Sequence, residues 1–163
     1  LGDPGLVAVK FMKTRSEKKF LLGFVPHFFD KNDKRVHQIQ NRFPQQVTII
    51  RVNQRINAVL QQIDQCDYII SSSLHGLVIA DALHIPNAWL KLSGKATRDG
   101  CKFYDYYSAF DLRYEPVSIL GNEKLDDLIN HSHLLDHQLI DEVKNNLDNQ
   151  LLNIRSELIS FGI

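Results

Sequence analysis

Apolar residues along this chain fall in short runs that are separated by polar segments of about helical length. Four of these runs predict β-strands, at 20–25, 45–52, 67–72 and 87–93. Their apolar positions are largely continuous rather than alternating, which is typical of strands that are covered on both faces, as in a parallel sheet.

The segments between these strands carry apolar residues at spacings of three and four, which predicts helices. They span 33–43, 57–66 and 74–83. Because strands and helices alternate with short connections, we expect an α/β fold with an open, Rossmann-like parallel sheet and helices on both faces.

After the fourth strand the pattern changes. The segment 94–121 is rich in glycine and aromatic residues, and we expect it to be irregular. From about residue 122 the spacing of three and four returns and continues through Ile140 to Phe161, which predicts a long carboxyl-terminal helix. We therefore expect one domain over 1–163, with its core in 18–121 and a helical segment at 122–163.

The overall charge changes this picture little. Lysine plus arginine and aspartate plus glutamate number 19 each, so no net field favours nucleic acid. No apolar run reaches the ~20 residues that span a bilayer, and we expect no transmembrane segment. Cys66 and Cys101 lack the spacing of a zinc site, so we expect free thiols, no metal and no cofactor.

Polar side chains follow three of the predicted strands. Pro26 and His27 follow the first, Ser71 to His75 follow the third, and Lys91 to Lys95 follow the fourth. In an open parallel sheet, ligands bind at the carboxyl ends of the strands. The sequence therefore predicts that these three groups converge on one site.

The second group precedes a helix that is apolar on most sides and must be buried. Its first turn leaves backbone N–H groups that need partners. We expect Ser72 or Ser73 to cap one of them, and a phosphate or carboxylate to accept from the others. Gly76 would let the ligand approach the backbone, and His75 would donate to the anion or move a proton.

Each of these features also has a structural explanation. The serines and His75 would suit a capped helix with a satisfied histidine, and His27 would suit a plain loop. A solvated loop explains the cations between Lys91 and Lys102. Three tyrosines would either stack on a sugar or base or pack beneath the loop: Tyr104, Tyr106 and Tyr107. We expect Asp81, the single acid on the apolar helix, to pair with a neighbour.

Beyond these patterns, "SSSLHGLVIADALHIPNAWLKLSG", followed by "KFYDYY", resembles the polysaccharide pyruvyl transferase family. The opening "GDPGL" and "GFVPH" fit the same family. The resemblance implies an enzyme that transfers a pyruvyl group from phosphoenolpyruvate to a sugar hydroxyl in cell-surface polysaccharide synthesis. It also implies a fold similar to the carboxyl-terminal, donor-binding half of a two-domain GT-B-like glycosyltransferase.

Within this resemblance, His75 matches the motif histidine that is expected to contact phosphoenolpyruvate, and Leu74 and Gly76 lie in the same loop. The turn from Ser71 to Ser73 would complete a phosphate cradle. Many members have arginine where this chain has Ser73, so Lys91 or Lys95 would supply the missing charge. The alternatives are the donor domain of a nucleotide-sugar glycosyltransferase and a non-catalytic anion-binding module.

The chain begins with "LGDPGL" rather than methionine. We expect it to be part of a longer protein whose amino-terminal domain binds the saccharide acceptor, and to be inactive alone. We expect a cytoplasmic location, either free or at the inner face of the membrane. The tail should either pair with a second copy, as a homodimer, or expose Ile154, Leu158 and Phe161.

Overall fold

The sheet has four strands, and all of them are parallel. The computed structural model describes residues 2–12, 14–93 and 100–160. The strands lie in the order β2-β1-β3-β4. Their bounds are β1 Phe20–Val25, β2 Val47–Ile49, β3 Cys66–Ser71 and β4 Asn87–Trp89. The predicted α/β class and parallel sheet are confirmed, although β2 and β4 are shorter than the apolar runs that predicted them.

Three of the predicted helices lie between the strands as expected, and three helices follow β4. Their bounds are α1 Lys34–Arg42, α2 Ile56–Asp64, α3 Leu74–Ala82, α4 Cys101–Ser108, α5 Leu125–Ile129 and α6 His137–Ser160. Two 3₁₀ helices complete the described elements, at Pro4–Phe11 and Phe28–Asp30.

Helices cover both faces of the sheet. Alternate residues of a strand therefore pack in different apolar clusters. Leu22 and Phe24 of β1 pack with α1 and α5, whereas Val25 packs with α2 and α3. The members from the helices of the first cluster are Val36, Ile39, Leu125 and Leu128. Those of the second are Val59, Leu60, Ile63, Ile79 and Ala80.

A third cluster joins α3 to segments from both ends of the chain. Leu6 of the amino-terminal 3₁₀ helix is fully buried there, and so are Tyr107 of α4 and Ile140 of α6. The expectation of an irregular segment over 94–121 is wrong for α4, since aromatic side chains on one face of this helix are buried. Residues 94–99 lie outside the described residues.

The predicted long carboxyl-terminal helix is confirmed as α6. Its first half is covered, since Leu147 is 8% exposed, whereas Leu152 is 60% exposed. The side chains of Ile154, Leu158 and Phe161 lie outside the described residues, so the alternative of pairing or exposure stays a prediction. Among the helices of the described ranges, none is long and apolar enough to cross a membrane.

Candidate functional site

The strand order creates a switch point between β1 and β3. These strands are neighbours in the sheet although β2 separates them in the chain, so the connections after them leave in opposite directions. Crevices at the carboxyl ends of such strands are the usual ligand sites of open parallel sheets. A cavity of about 510 Å³ opens at this point in front of α3.

We call this the α3 cavity. Its polar side chains belong to His27, Gln54, Ser73, His75 and Lys102, and Gly5, Leu74 and Gly76 also contribute to the lining. Its apolar wall consists of Ala8, Val25, Phe28, Val52, Ile56, Val59 and Ile79. Five residues that the sequence placed in one site therefore share one cavity: His27, Ser73, Leu74, His75 and Gly76.

Three other predicted site residues do not line this cavity. Ser71 and Ser72 are fully buried beneath it. Lys91 is exposed, and its amide donates to Val117 O at 2.8 Å, which places the residue along the extension of β4. Lys95 lies outside the described residues. Among the described residues, the cationic side chain that lines the cavity is that of Lys102. The sequence pattern had indicated a solvated basic loop for this residue.

The first turn of α3 has unused donors. Within the described part of the chain, the amides of Leu74 and His75 have no hydrogen-bond partner, whereas Gly76 N donates to Ser73 O at 3.0 Å. Ser73 is the N-cap residue and is only 5% exposed, yet its hydroxyl caps no amide. The predicted capping by Ser72 or Ser73 is therefore wrong, and both amides remain available to a ligand.

The buried serines instead hold the turn in place. Ser71 Oγ lies 2.8 Å from Val25 O and 2.7 Å from Ser73 O, and it accepts from Ser73 N at 3.0 Å. Ser72 Oγ donates to Asp30 Oδ2 at 2.8 Å and accepts from His27 N at 2.9 Å. Ser71 and Ser72 thus fix the two loops that form the cavity without facing it.

Gly76 has a packing role that the sequence did not predict, while the approach of a ligand to its backbone stays a prediction. A Cβ at this position would lie 2.3 Å from Ser71 Oγ and 2.9 Å from Val25 Cγ1. The missing side chain is therefore directed at the sheet, and the glycine is needed for close packing of α3 on β1 and β3. Its backbone still contributes to the cavity wall.

His27 and His75 differ in their surroundings. His75 is exposed, and its ring makes no hydrogen bond or ion pair in the described ranges. His27 is half-buried, and burial together with the positive charge of Lys102 lowers its pKa, which Asp30 partly offsets. Both rings border the cavity, and Lys102 lines it beside them.

Asp30 was missed in the sequence. This carboxylate is 4% exposed and accepts from Ser72 Oγ and, at 2.5 Å, from Ser93 Oγ. It joins the loops after β1, β3 and β4 at their base. The sequence did indicate that Asp30 lies close to the edge of the sheet, because it comes three residues after the Pro-His pair that ends a strand. The burial of its carboxylate depends on tertiary contacts, which the sequence pattern does not show.

The arrangement suits an anion rather than a metal. No group of three or more potential ligands among the described histidines, cysteines and acids could hold a metal ion. The cavity instead offers hydrogen-bond donors: two amides, the Ser73 hydroxyl, two imidazoles and the Lys102 ammonium. Such donors in front of a helix amino terminus bind phosphate and carboxylate groups.

The chain is 30% identical over 164 residues to an uncharacterised protein of Acanthamoeba polyphaga mimivirus. That alignment covers 94% of this chain and 57% of the relative, so the chain spans little more than half of the relative's length. No solved structure matches the chain. The family model described as polysaccharide pyruvyl transferase matches residues 4–94, more than half of the chain and most of the cavity lining, and the chain therefore belongs to that family.

Proposed function

We propose that this chain binds phosphoenolpyruvate in the α3 cavity and transfers its pyruvyl group to a sugar hydroxyl of a cell-surface polysaccharide or its precursor. The observation that carries the proposal is the composition of the cavity. The family's Leu-His-Gly turn enters it with two unpaired amides, and beside them the buried Ser73 hydroxyl has no partner among the described residues.

Phosphoenolpyruvate carries a phosphate and a carboxylate, so it needs donors at two points. The amides of Leu74 and His75, with the Ser73 hydroxyl, suit one anionic group at the positive end of the α3 dipole. Lys102 and His27 suit the other. Lys102 thereby replaces the charge of the arginine that many family members have at position 73. Lys95 stays a candidate for the same role.

The apolar wall suits the uncharged part of the donor. Val25, Val52 and Ile79 contribute apolar side chains to the lining of the same cavity. Electrostatic contacts are stronger in such surroundings than in water. Protonation of the methylene carbon creates an oxocarbenium-like centre at the neighbouring carbon. The sugar hydroxyl attacks this carbon and loses its proton to a base, and the bond from the carbon to the phosphate oxygen breaks, so that inorganic phosphate leaves. A second sugar hydroxyl that adds to the same carbon and loses its proton completes the ketal. We propose His75 as an anion ligand and the acid that protonates the methylene carbon.

The remaining proposals concern the whole protein. We propose that this chain is the donor-binding half of a longer, GT-B-like protein and is inactive alone. The saccharide acceptor would bind mainly to the other half. The exposed Leu152 on α6 supports a contact of this helix with that half or with a second copy. We propose a cytoplasmic location, with access to the inner face of the membrane.

A ligand screen tests the donor. Phosphoenolpyruvate should raise the melting temperature of the chain, because a ligand that binds only the folded state stabilises it. A shift with nucleoside diphosphates instead would favour a glycosyltransferase donor domain, and no shift with either would favour a module without catalysis. The same comparison should use inorganic phosphate to separate donor recognition from simple anion binding.

Substitution of His75 tests its role. In the full-length enzyme, His75→Ala should lower kcat by about 100-fold or more if the imidazole is an acid, and should mainly raise the KM for phosphoenolpyruvate if it is only a ligand. His131→Ala is the matched control, because His131 is also exposed but does not line the cavity. Unchanged kcat and KM in the His75 variant would exclude both roles.

A further inference from the structure

The ring of His27 contacts the neighbouring backbone through one of its two nitrogens. Its Nδ1 accepts from Phe29 N at 3.3 Å, and its backbone N–H donates to Ser72 Oγ at 2.9 Å. The neutral imidazole therefore carries its proton on Nε2, since Nδ1 is occupied as an acceptor. Across the described ranges Nε2 has no hydrogen-bond partner, and the residue lines the α3 cavity.

The charged and titratable groups around His27 come from three elements. Lys102 of α4 opposes its protonation, and Asp30 of the adjoining 3₁₀ helix favours it. The Asp30 carboxylate already accepts from the hydroxyls of Ser72 and Ser93, which divides its negative charge among several partners. His75 of α3 lies across the same cavity. Without a ligand, burial and Lys102 keep the pKa of His27 below its usual value, so the ring is neutral at pH 7.

An anion with two negative charges reverses this balance. It neutralises Lys102 and adds a negative field beside Nε2, and both effects favour the imidazolium. The added proton goes to Nδ1, which can then no longer accept from Phe29 N. That hydrogen bond is long at 3.3 Å and is exposed, so water can replace it at small cost.

We propose that His27 takes up a proton when a doubly charged anion enters the α3 cavity, and that this protonation releases the Phe29 amide. The inference rests on the proposed anion site and adds to it a pH dependence and a second proton-carrying group. In the assembled enzyme, an imidazolium formed only when the donor is bound would be a pre-charged acid next to the substrate. His27 would thus join His75 as a group that contacts the donor.

Sulfate is the probe, because it keeps two charges between pH 5 and 8, whereas the phosphate of phosphoenolpyruvate titrates near pH 6. The pKa of each imidazole is measured by NMR on the 163-residue chain with and without saturating sulfate. We expect sulfate to raise the pKa of His27 by about one unit or more, and the sulfate Kd to increase by up to about tenfold per pH unit between the free and bound pKa values. The Phe29 amide signal should move with the His27 titration.

Two variants separate this coupling from general electrostatics. His27→Gln keeps a neutral donor and should bind sulfate with a Kd that no longer follows the His27 titration. Lys102→Met removes the opposing charge and should raise the pKa of free His27, which reduces the shift that sulfate causes. His131, outside the cavity, serves as the internal reference in all spectra.

Several results would overturn the inference. These are a pKa of His27 that saturating sulfate leaves unchanged, a sulfate Kd whose pH dependence is the same in His27→Gln as in the natural chain, and an absence of sulfate binding at any pH. Turnover of phosphoenolpyruvate in the full-length enzyme decides the proposed function separately. Proton uptake without turnover would support the inference and contradict the function, and turnover without proton uptake would do the reverse.

Discussion

Gly76→Ala tests whether the glycine of the Leu-His-Gly turn serves packing or ligand approach. In an exposed helix the change would stabilise the protein by about 1 kcal/mol, because alanine has the higher helix propensity. Here the new methyl group would lie 2.3 Å from Ser71 Oγ, 2.9 Å from Val25 Cγ1 and 3.0 Å from Val25 Cβ. Neither neighbour is the free end of a flexible side chain, so α3 or Ser71 must move.

The magnitude follows from these contacts. Overpacking of a tight interior costs about 1–3 kcal/mol. Displacement of the Ser71 hydroxyl from its buried hydrogen bonds costs about 1–3 kcal/mol more. After subtraction of the propensity gain, the free energy of unfolding should fall by about 3 kcal/mol. At a urea slope of about 2 kcal/mol/M, the unfolding midpoint should decrease by about 1.5 M.

Urea unfolding followed by circular dichroism measures this shift, and Ser71→Ala provides the control. Without Oγ the closest contact is absent, so Gly76→Ala should cost at least about 1 kcal/mol less in the Ser71→Ala background than in the natural one. A midpoint that stays constant or rises in Gly76→Ala, together with weaker phosphoenolpyruvate binding, would refute the packing argument and restore the role predicted from sequence.

Three further predictions concern groups away from the cavity. Burial raises the pKa of Asp81 from 3.8 to about 7, so the folded protein keeps a proton that the unfolded chain loses; stability should fall by about 4 kcal/mol from pH 4 to pH 7, and Asp81→Asn should flatten this dependence in urea titrations. Iodoacetamide should label exposed Cys101 and not buried Cys66, whose pKa is raised to about 12, as mass spectrometry can verify. The ammonium of Lys144 donates to Ala82 O, at the carboxyl end of α3, at 3.0 Å. Lys144→Met removes this contact and should lower the free energy of unfolding in urea by about 1 kcal/mol. An unchanged unfolding midpoint would show that the contact contributes nothing.

The central elements could be predicted from sequence with nearly correct bounds. β1 is a continuous apolar run that Pro26 ends, and α3 is a continuous apolar run that begins after a turn of serines. In both elements the composition and the boundary residues indicate the same bounds. β2 and β4 are the edge strands of the sheet, and each pairs with one other strand, although isolated bridges also join Asn87 of β4 to His133 and Leu90 to Val117. The bounds of an edge strand depend on where its neighbouring strand ends. The local apolar pattern does not contain this information, so the strands that it predicted are longer than β2 and β4.

Two elements were missed because their signals are weak or non-local. α4 follows Gly100, which has a φ of 72° and no side chain that could cap the helix, and half of the residues of α4 are aromatic rather than strong helix formers. The amino-terminal 3₁₀ helix did have a signal, because Asp3 precedes Pro4 and accepts from Gly5 N at 2.7 Å. Its importance is tertiary, since its residue Leu6 is fully buried.

For the site, the sequence predicted the cluster better than the individual roles. Side chains after parallel strands must meet at one edge, so His27 and the Ser73–Gly76 turn could be placed together. Which serine faces a ligand depends on the local twist of the turn. Which cation enters the cavity depends on α4, whose position no pattern near the strands indicates. Lys102 was therefore placed in the loop with Lys91.

The end of α3 that lies away from the cavity is held by a buried polar group. Asp81, at the other end of α3, accepts from Asn87 Nδ2 at 2.6 Å and from Tyr106 OH at 2.8 Å. These three residues come from the Ala-Asp, Ile-Pro-Asn and Phe-Tyr-Asp-Tyr-Tyr segments of this chain, and Asp81 and Asn87 are fully buried. They fix the carboxyl end of α3 against β4 and α4, while Ser71 and Gly76 fix its amino end against β1 and β3. Donors on a helix that is held at both ends need little reorganisation when an anion binds, and such preorganisation is what electrostatic stabilisation of a reacting group requires.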